Sequence, residues 1–473
     1  MNRTSTRSTD TSRFILLFLV AIYALLSLGL IFSVPIGNAP DESAHLEYVK
    51  FIADNNALPV FEPRGAPHPG YEFHQPPLFY LVSALFWKIS PAEIAPYTCR
   101  IVSMLCSAAS LWLIWNAIIC LFPKRRELAV VATGFAALWP LHVAVGSFAG
   151  NDSIADLVCT AMFWKMAQMS AKISSQTSNQ NAPQNSDENA TSSTRSVAKI
   201  TARDAIVVGV LVGLGILSKN TTVVIGAVAI VTLWLLARKN GESEDATHGG
   251  KMLLIGVAVS LLVGGAWLWR NTVLYGDAFA FRIFDEAFSK SSPRPSFFFT
   301  PEATAAFRQQ ITLPIYLRAL FLITFATCWG FFGGPGNALR VLNVFGASGA
   351  RAEAAVWWPI GALFLVATIV VFVGLARAFA GWKRLNDAHK TAISGWIFGA
   401  ILVLLAFVYF NTTQFQGQAR YLHPALLPVA FGVAVGWTQV FRSRRALIIA
   451  SGAMAILMIV MTLTNIFVWR VLA

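Results

Sequence analysis

The amino-acid sequence predicts an all-α polytopic membrane protein: about eleven transmembrane helices, with further helices lying on the outer membrane surface. Three observations predict it. The 473 residues are 56% hydrophobic. Only 12% are charged, about half the share of a soluble domain. Apolar stretches near the roughly 20 residues needed to cross hydrocarbon recur along the chain. The net charge of +13 does not indicate nucleic acid, because Lys and Arg gather in short loops between apolar stretches, as the positive-inside rule requires.

Eleven stretches are expected to span: Phe14–Val34, Ile101–Leu121, Leu128–Phe148, Ile154–Met169, Ala205–Leu217, Thr222–Leu236, Met252–Trp269, Trp357–Ala376, Ala392–Phe410, Leu422–Phe441 and Ala446–Val468. The first follows Arg3, Arg7 and Arg13 like a signal peptide. Its apolar run is too long for one and no small-residue cleavage site follows, so it reads as an uncleaved span. With the N-terminus in the cytoplasm, the basic groups Lys124-Arg125-Arg126, Arg238-Lys239, Lys383-Arg384 and Arg442–Arg445 all fall inside. Ile315–Phe332 is apolar but carries Arg318, and a crossing there would put two of those groups outside. It therefore reads as an interfacial or re-entrant helix. The location expected is a bacterial inner or plasma membrane.

Loops come next. Ser174–Ser196, rich in Ser, Asn, Gln and Thr, reads as a disordered cytoplasmic loop, and Gly241–Gly250 as a shorter one. The cysteines Cys99, Cys106, Cys120, Cys159 and Cys328 form no C-x-x-C pair and read as buried apolar residues. The two long loops, Pro35–Arg100 and Arg270–Val356, both fall on the outer face. Long loops in a compact protein are usually functional.

In the first of them, Asn38-Ala39-Pro40-Asp41-Glu42-Ser43-Ala44-His45 reads as the start of an amphipathic surface helix over Asn38–Asn56. Asn38 would cap it and Asp41 and His45 would share a face at i, i+4. Asp41 and Glu42 could also serve only the positive helix end, worth up to about 1 kcal/mol. In Phe73-His74-Gln75-Pro76-Pro77, the prolines hold His74 and Gln75 at the entry to a second surface helix. Single cations stand at outer span ends: Lys219, Arg270 and Arg420, the last beside Tyr421. Each can be a snorkelling anchor, but three on the face that normally lacks positive charge suit a lipid phosphate. Asp152, in the outer turn Asn151-Asp152, is a candidate helix cap or supporting carboxylate.

Taken together, these segments resemble the C-type membrane glycosyltransferases, within them the protein O-mannosyltransferase and aminoarabinose transferase group and bacterial relatives of unassigned substrate. The resemblance rests on Pro40-Asp41-Glu42-x-x-His45, His74-Gln75-Pro76-Pro77-Leu78-Phe79-Tyr80, Gly150-Asn151-Asp152-Ser153, Leu217-Ser218-Lys219, Trp269-Arg270-Asn271 with Tyr275-Gly276-Asp277, Cys328-Trp329-Gly330-Phe331-Phe332-Gly333 and Gly417-Gln418-Ala419-Arg420-Tyr421, in that order. The chain departs from the group where Gln418-Ala419 interrupts Gly-Arg-Tyr and where Gly334 replaces a tryptophan. The resemblance implies a polyprenyl-phosphate sugar donor, transfer on the outer face, and a catalytic aspartate at Asp41.

The residues suit that chemistry. An acceptor hydroxyl attacking a sugar C1 needs a base, here Asp41, with Glu42 as its catalytic partner and His45, His74, Gln75 and Asp152 around the substrate. The departing phosphate needs fixed cations, here Lys219, Arg270 and Arg420, with Tyr421 alongside. One base and no covalent nucleophile favour inversion at C1. The expected partners are the lipid-linked donor, the bilayer, and an acceptor glycan, lipid or protein. No cofactor is expected, although a divalent cation on Asp41, Glu42 and Asp152 stays open. The rival reading is a lipid or solute transporter or flippase, but the strongest ionisable clusters lie in outer loops rather than at midplane.

Overall fold

A computed structural model describes residues 3–63, 70–180, 199–239, 246–288, 294–307, 310–330 and 351–472. Among them every regular element is helical. In order these are α1 (Arg3–Ser33), α2 (Glu42–Asn55), α3 (Leu78–Ile89), α4 (Ala95–Leu121), α5 (Arg126–Leu138), α6 (Pro140–Ser147), α7 (Asp152–Gln180), α8 (Ala202–Ser218), α9 (Thr222–Arg238) and α10 (Ala246–Tyr275). There follow α11 (Phe281–Phe288), α12 (Pro301–Phe307), α13 (Leu313–Cys328), α14 (Arg351–Phe379), α15 (Asp387–Thr413), α16 (Leu426–Val440) and α17 (Arg444–Leu472). Short 3₁₀ turns occupy Pro295–Phe299, Trp382–Arg384 and Ala419–Ala425.

Seven of the described helices are long and apolar enough to cross a membrane, and the bent pair α5–α6 makes an eighth if it is one span. This is an integral, multi-pass protein. Each of the eleven stretches expected to span lies in helix, but by that measure seven or eight qualify. The 17-residue α8 and α9 rise only about 26 Å, and α7 carries Asp152, Asp156, Lys165 and Lys172 along its length. The 56° bend between α5 and α6 falls at Pro140, which has no N–H to continue the ladder. The 16 residues of α13 reach about 24 Å, short of the roughly 30 Å core. Its Arg318 is exposed, and Tyr316 and Thr324 donate to the carbonyls of Asn411 and Gly417.

The main apolar cluster draws chiefly on α1, α4, α5, α7, α8, α9, α15 and α16, and a second, with Leu46, Tyr48, Phe79 and Tyr80, packs α2 and α3 onto α4. Small residues bring α8 and α10 together. A side chain on Gly209 would meet the Gly256 carbonyl at 2.6 Å, and one on Gly264 the Gly213 carbonyl at 3.0 Å. Such close backbone approach is how helices associate where lipid removes the hydrophobic drive.

Two ends of the bundle are distinct. At one, His389 is hydrogen-bonded to the Leu121 carbonyl and to Ser174, and Lys239 donates to Thr391. The loops carrying Lys124–Arg126 and Lys383-Arg384 therefore start or finish at the same end. Asp152 begins α7 about 33 Å away along the helix, and there Lys219 and Arg420 meet it, Arg420 also pairing with Asp41.

Three local expectations need correction. The surface helix begins at Glu42, not Asn38: Gly37 (φ +83°) and Asp41 (φ +61°) are left-handed and turn the chain first. The run Ser174–Gln180 continues α7 instead of forming loop, and Ala246–Gly250 of the second expected loop begins α10; residues 181–196 and 241–245 of the two expected loops lie outside the described residues. Asp152 is the first residue of α7, with the Asn151 carbonyl accepting from Ala155 N–H at 3.1 Å, so Asn151 holds the cap position.

Candidate functional site

Asp41 sits at the N-cap position of α2 without capping it. Its left-handed backbone is unfavourable for a residue with a Cβ, although Asp tolerates it better than most. The consequence is that the carboxylate turns away from its own helix. Oδ1 accepts from the Tyr71 hydroxyl at 3.1 Å, and Oδ2 accepts from Arg420 Nη2. The side chain keeps 33% exposure, so it is held yet reachable. Burial pushes its pKa upward, but the charge and hydrogen bond of Arg420, with His45 and the Tyr71 hydroxyl, bring it down to about 2.

Asp152 completes the cluster. Lys219, in the turn between α8 and α9, pairs with Oδ1, and Arg420 Nη1 lies 3.9 Å from Oδ2. Tyr421 lies between the two cations, its ring 5.6 Å from Lys219 Nζ and 5.2 Å from the Arg420 guanidinium. Two carboxylates and two cations thus balance in a largely desolvated site. Arg420 Nε is buried and has no hydrogen-bond partner among the described residues.

Around this centre the first loop forms an aromatic wall. His45 Nδ1 is 2.8 Å from the Tyr80 hydroxyl, and Tyr80 stacks on Tyr48 with centroids 3.8 Å apart. Burial drives the His45 pKa down to about 4, so the ring is neutral at pH 7. His74 is likewise lowered to about 4 by burial. It packs against Phe61 and Phe284 at 5.1 Å, and its Nδ1–H donates to the Tyr71 carbonyl at 3.0 Å. Gln75 Oε1 accepts from Asn151 Nδ2 at 3.2 Å, tying the wall to the start of α7.

Two expected residues are placed elsewhere. Glu42 is adjacent to Asp41 in sequence but fully buried, gripped by Arg100 through Nε at 2.7 Å and Nη2 at 2.6 Å. It also accepts from the backbone N–H groups of Gly37 and Ala149, and Arg100 donates further to the carbonyls of Ile31, Val34 and Pro35. Successive residues on a helix diverge by about 100°, so Glu42 faces the protein and fastens α2 to α1 and α4. Arg270 donates to the Pro59 carbonyl at 2.6 Å and lies over Trp267. It braces the first loop and makes no contact with Asp41 or Asp152.

The structure adds residues that the sequence did not mark. Tyr71 donates to Asp41. Glu72 is 7% exposed, with Oε2 lacking a hydrogen-bond partner among the described residues. Burial and the neighbouring Asp41 charge push its pKa up to about 8. Below the cluster, Asp156 is hydrogen-bonded to His423. Spacing could have flagged both: Asp156 is one helical turn after Asp152, and His423 is three residues after Arg420. Of the recurring stretches, Phe331–Gly334 lies outside the described residues.

No protein-family model and no curated sequence matches the chain. Solved structures do. ArnT from Cupriavidus metallidurans, determined bound to undecaprenyl phosphate, is similar with a TM-score of 0.50 at 15% identity, covering 93% of this chain and 63% of ArnT. The oligosaccharyltransferase AglB from Archaeoglobus fulgidus, determined with an inhibitory peptide and a dolichol-phosphate, gives 0.46 at 13% identity over 97% of this chain and 55% of AglB. This chain therefore spans less than two thirds of either neighbour's length, and the likeness is one of fold. The chain has the fold of the C-type membrane glycosyltransferases.

Proposed function

We propose that the chain transfers a hexose or pentose from a polyprenyl-phosphate-linked donor to an acceptor hydroxyl at the outer face of the membrane. The carrying observation is the charge-balanced cluster of Asp41, Asp152, Lys219 and Arg420 at one end of the bundle, in which Arg420 keeps a buried N–H without a partner. ArnT, which has this fold, was determined with undecaprenyl phosphate. The same class of lipid is the donor headgroup proposed here.

In the cluster as it stands, Asp41 is a poor base, because Arg420 holds its pKa down at about 2. A donor phosphate competes for the same guanidinium. Arg420 turns its free N–H and one of its Nη groups to the phosphate oxygens, which it can grip with two parallel bonds. Asp41 is released from its strongest partner and its pKa rises toward that of an ordinary carboxylate. Asp41 then takes the proton of the acceptor hydroxyl as that oxygen bonds to the sugar C1. The bond from C1 to the phosphate oxygen breaks, and its electron pair leaves with the polyprenyl phosphate, which Lys219 and Arg420 stabilise. Attack opposite the leaving group inverts C1. The Tyr71 hydroxyl keeps Asp41 aimed while Arg420 moves.

Binding of undecaprenyl phosphate to the purified full-length protein tests the site without knowledge of the sugar. Lys219→Ala and Arg420→Ala should each weaken binding about tenfold or more, since each removes a charge-assisted contact. Wild-type affinity in both variants would overturn the assignment.

A further inference from the structure

Beneath the phosphate cluster lies a second polar contact that the proposed reaction does not use. Asp156 and His423 are each 1% exposed, among apolar helices, and His423 Nδ1 stands 2.5 Å from Asp156 Oδ2. A buried polar pair of this kind is costly, and well-packed apolar residues of similar size would serve stability at least as well. Its placement suggests what it is for.

On α7, Asp152 and Asp156 are four residues apart and so lie on one face, one turn above the other. On the 3₁₀ turn Ala419–Ala425, Arg420 and His423 are three residues apart, and in a 3₁₀ helix such side chains eclipse. The two elements therefore meet through two parallel rungs. Arg420 to Asp152 is the upper, at 3.9 Å; His423 to Asp156 is the lower. The ring of the lower rung is stacked against two others. His423 stacks on His142 with centroids 5.2 Å apart and 13° between planes, and on Trp139 at 5.2 Å and 29°. The upper rung is long and lies beside the Asp41 contact that a ligand displaces, whereas the lower is short, buried and flanked by rings.

We propose that Asp156 and His423 are positioning residues for Arg420: the lower rung fixes the height and rotation of the 3₁₀ turn against α7, so that the guanidinium faces both Asp41 and an incoming phosphate. This rests on the reading of Arg420 as a phosphate ligand. A short 3₁₀ turn with Pro424 inside it has few backbone bonds of its own, so a side-chain contact is needed to set its register. Arg420 can exchange partners without losing its place because its turn is anchored three residues further on.

The test compares affinity of the full-length protein for undecaprenyl phosphate and for undecaprenol, the same lipid without the charged group. Asp156→Asn and His423→Asn weaken the rung. The double variant Asp156→Leu/His423→Phe replaces it with apolar groups, keeps a ring against Trp139 and His142, and guards against simple failure to fold. The expected result is about a tenfold loss of preference for the phosphate over the alcohol in the folded double variant, with binding of the alcohol unchanged. Unchanged preference in that variant overturns the positioning role, as does an equal loss for both lipids. The Arg420→Ala control separates the two claims: if it too keeps full phosphate preference, the reading of Arg420 has failed instead.

Discussion

Asp41 and Glu42 are neighbours in sequence and have separate fates in space. Their adjacency made them look like a catalytic pair, but direction on a helix is set by the 3.6-residue period, and the left-handed backbone at Asp41 turns that side chain further from α2. Asp41, Lys219 and Arg420 were legible as ionisable residues at the ends of apolar stretches. Tyr71 and Glu72 were not, and Asp156 and His423 only through their spacing from Asp152 and Arg420, because their significance lies in partners 30 and 267 positions away or in groups that face them only after folding. Glu72 gives a prediction at this scale. Its carboxyl is raised from 4.5 in the reference state to about 8 when folded. Between those values the folded state holds a proton that the unfolded state has released. The associated stability is therefore fully present below pH 4.5 and is lost as pH rises to about 8. Across that window the melting temperature of wild type in detergent should fall relative to that of Glu72→Gln, a difference that cancels the opposing rise from His45 and His74, whose lowered values act below pH 6.5. An identical slope in the variant would show that Glu72 is not the group responsible.

Among the elements, the long apolar helices were legible because composition alone marks them, and the break at Pro140 lay hidden inside one apolar stretch, Leu128–Phe148. The short elements were harder. The onset of α2 was placed four residues early, since Asn38 and Pro40 carry the usual signals of a helix start and the turns at Gly37 and Asp41 override them. What holds α2 in place is Arg100, whose role could not be read from a sequence that puts it at the edge of a span. The Glu42–Arg100 pair is fully buried on both sides, and its donors and acceptors are shared with five backbone groups from α1, the first loop and the residues before α7. Glu42→Gln leaves Arg100 a buried charge without a counter-ion, at a cost of about 3–5 kcal/mol. The variant should melt well below wild type. A melting point equal to wild type would mean that the pair does not hold α2.

For the whole molecule, the gathering of Asp41, Asp152, Lys219 and Arg420 from four separate parts of the chain at one end of the bundle is what turns scattered ionisable residues into a candidate site. The basic loops supplied the expectation that these residues share a face, and packing brings them into contact. What sequence could not supply is the pairing itself: Asp41 is held by Arg420 from a segment near the other terminus, so in the proposed reaction the base stays closed until a phosphate claims the guanidinium. The most direct measurement of this account is sugar transfer in right-side-out membrane vesicles supplied with a pool of polyprenyl-phosphate-linked sugars, comparing wild type with Asp41→Asn. The amide keeps the size of the side chain but cannot take the proton, and loss of a general base costs about 10²–10⁴-fold. Transfer by the variant should fall at least about a hundredfold, while binding of undecaprenyl phosphate persists. Transfer at the wild-type rate by Asp41→Asn would contradict it.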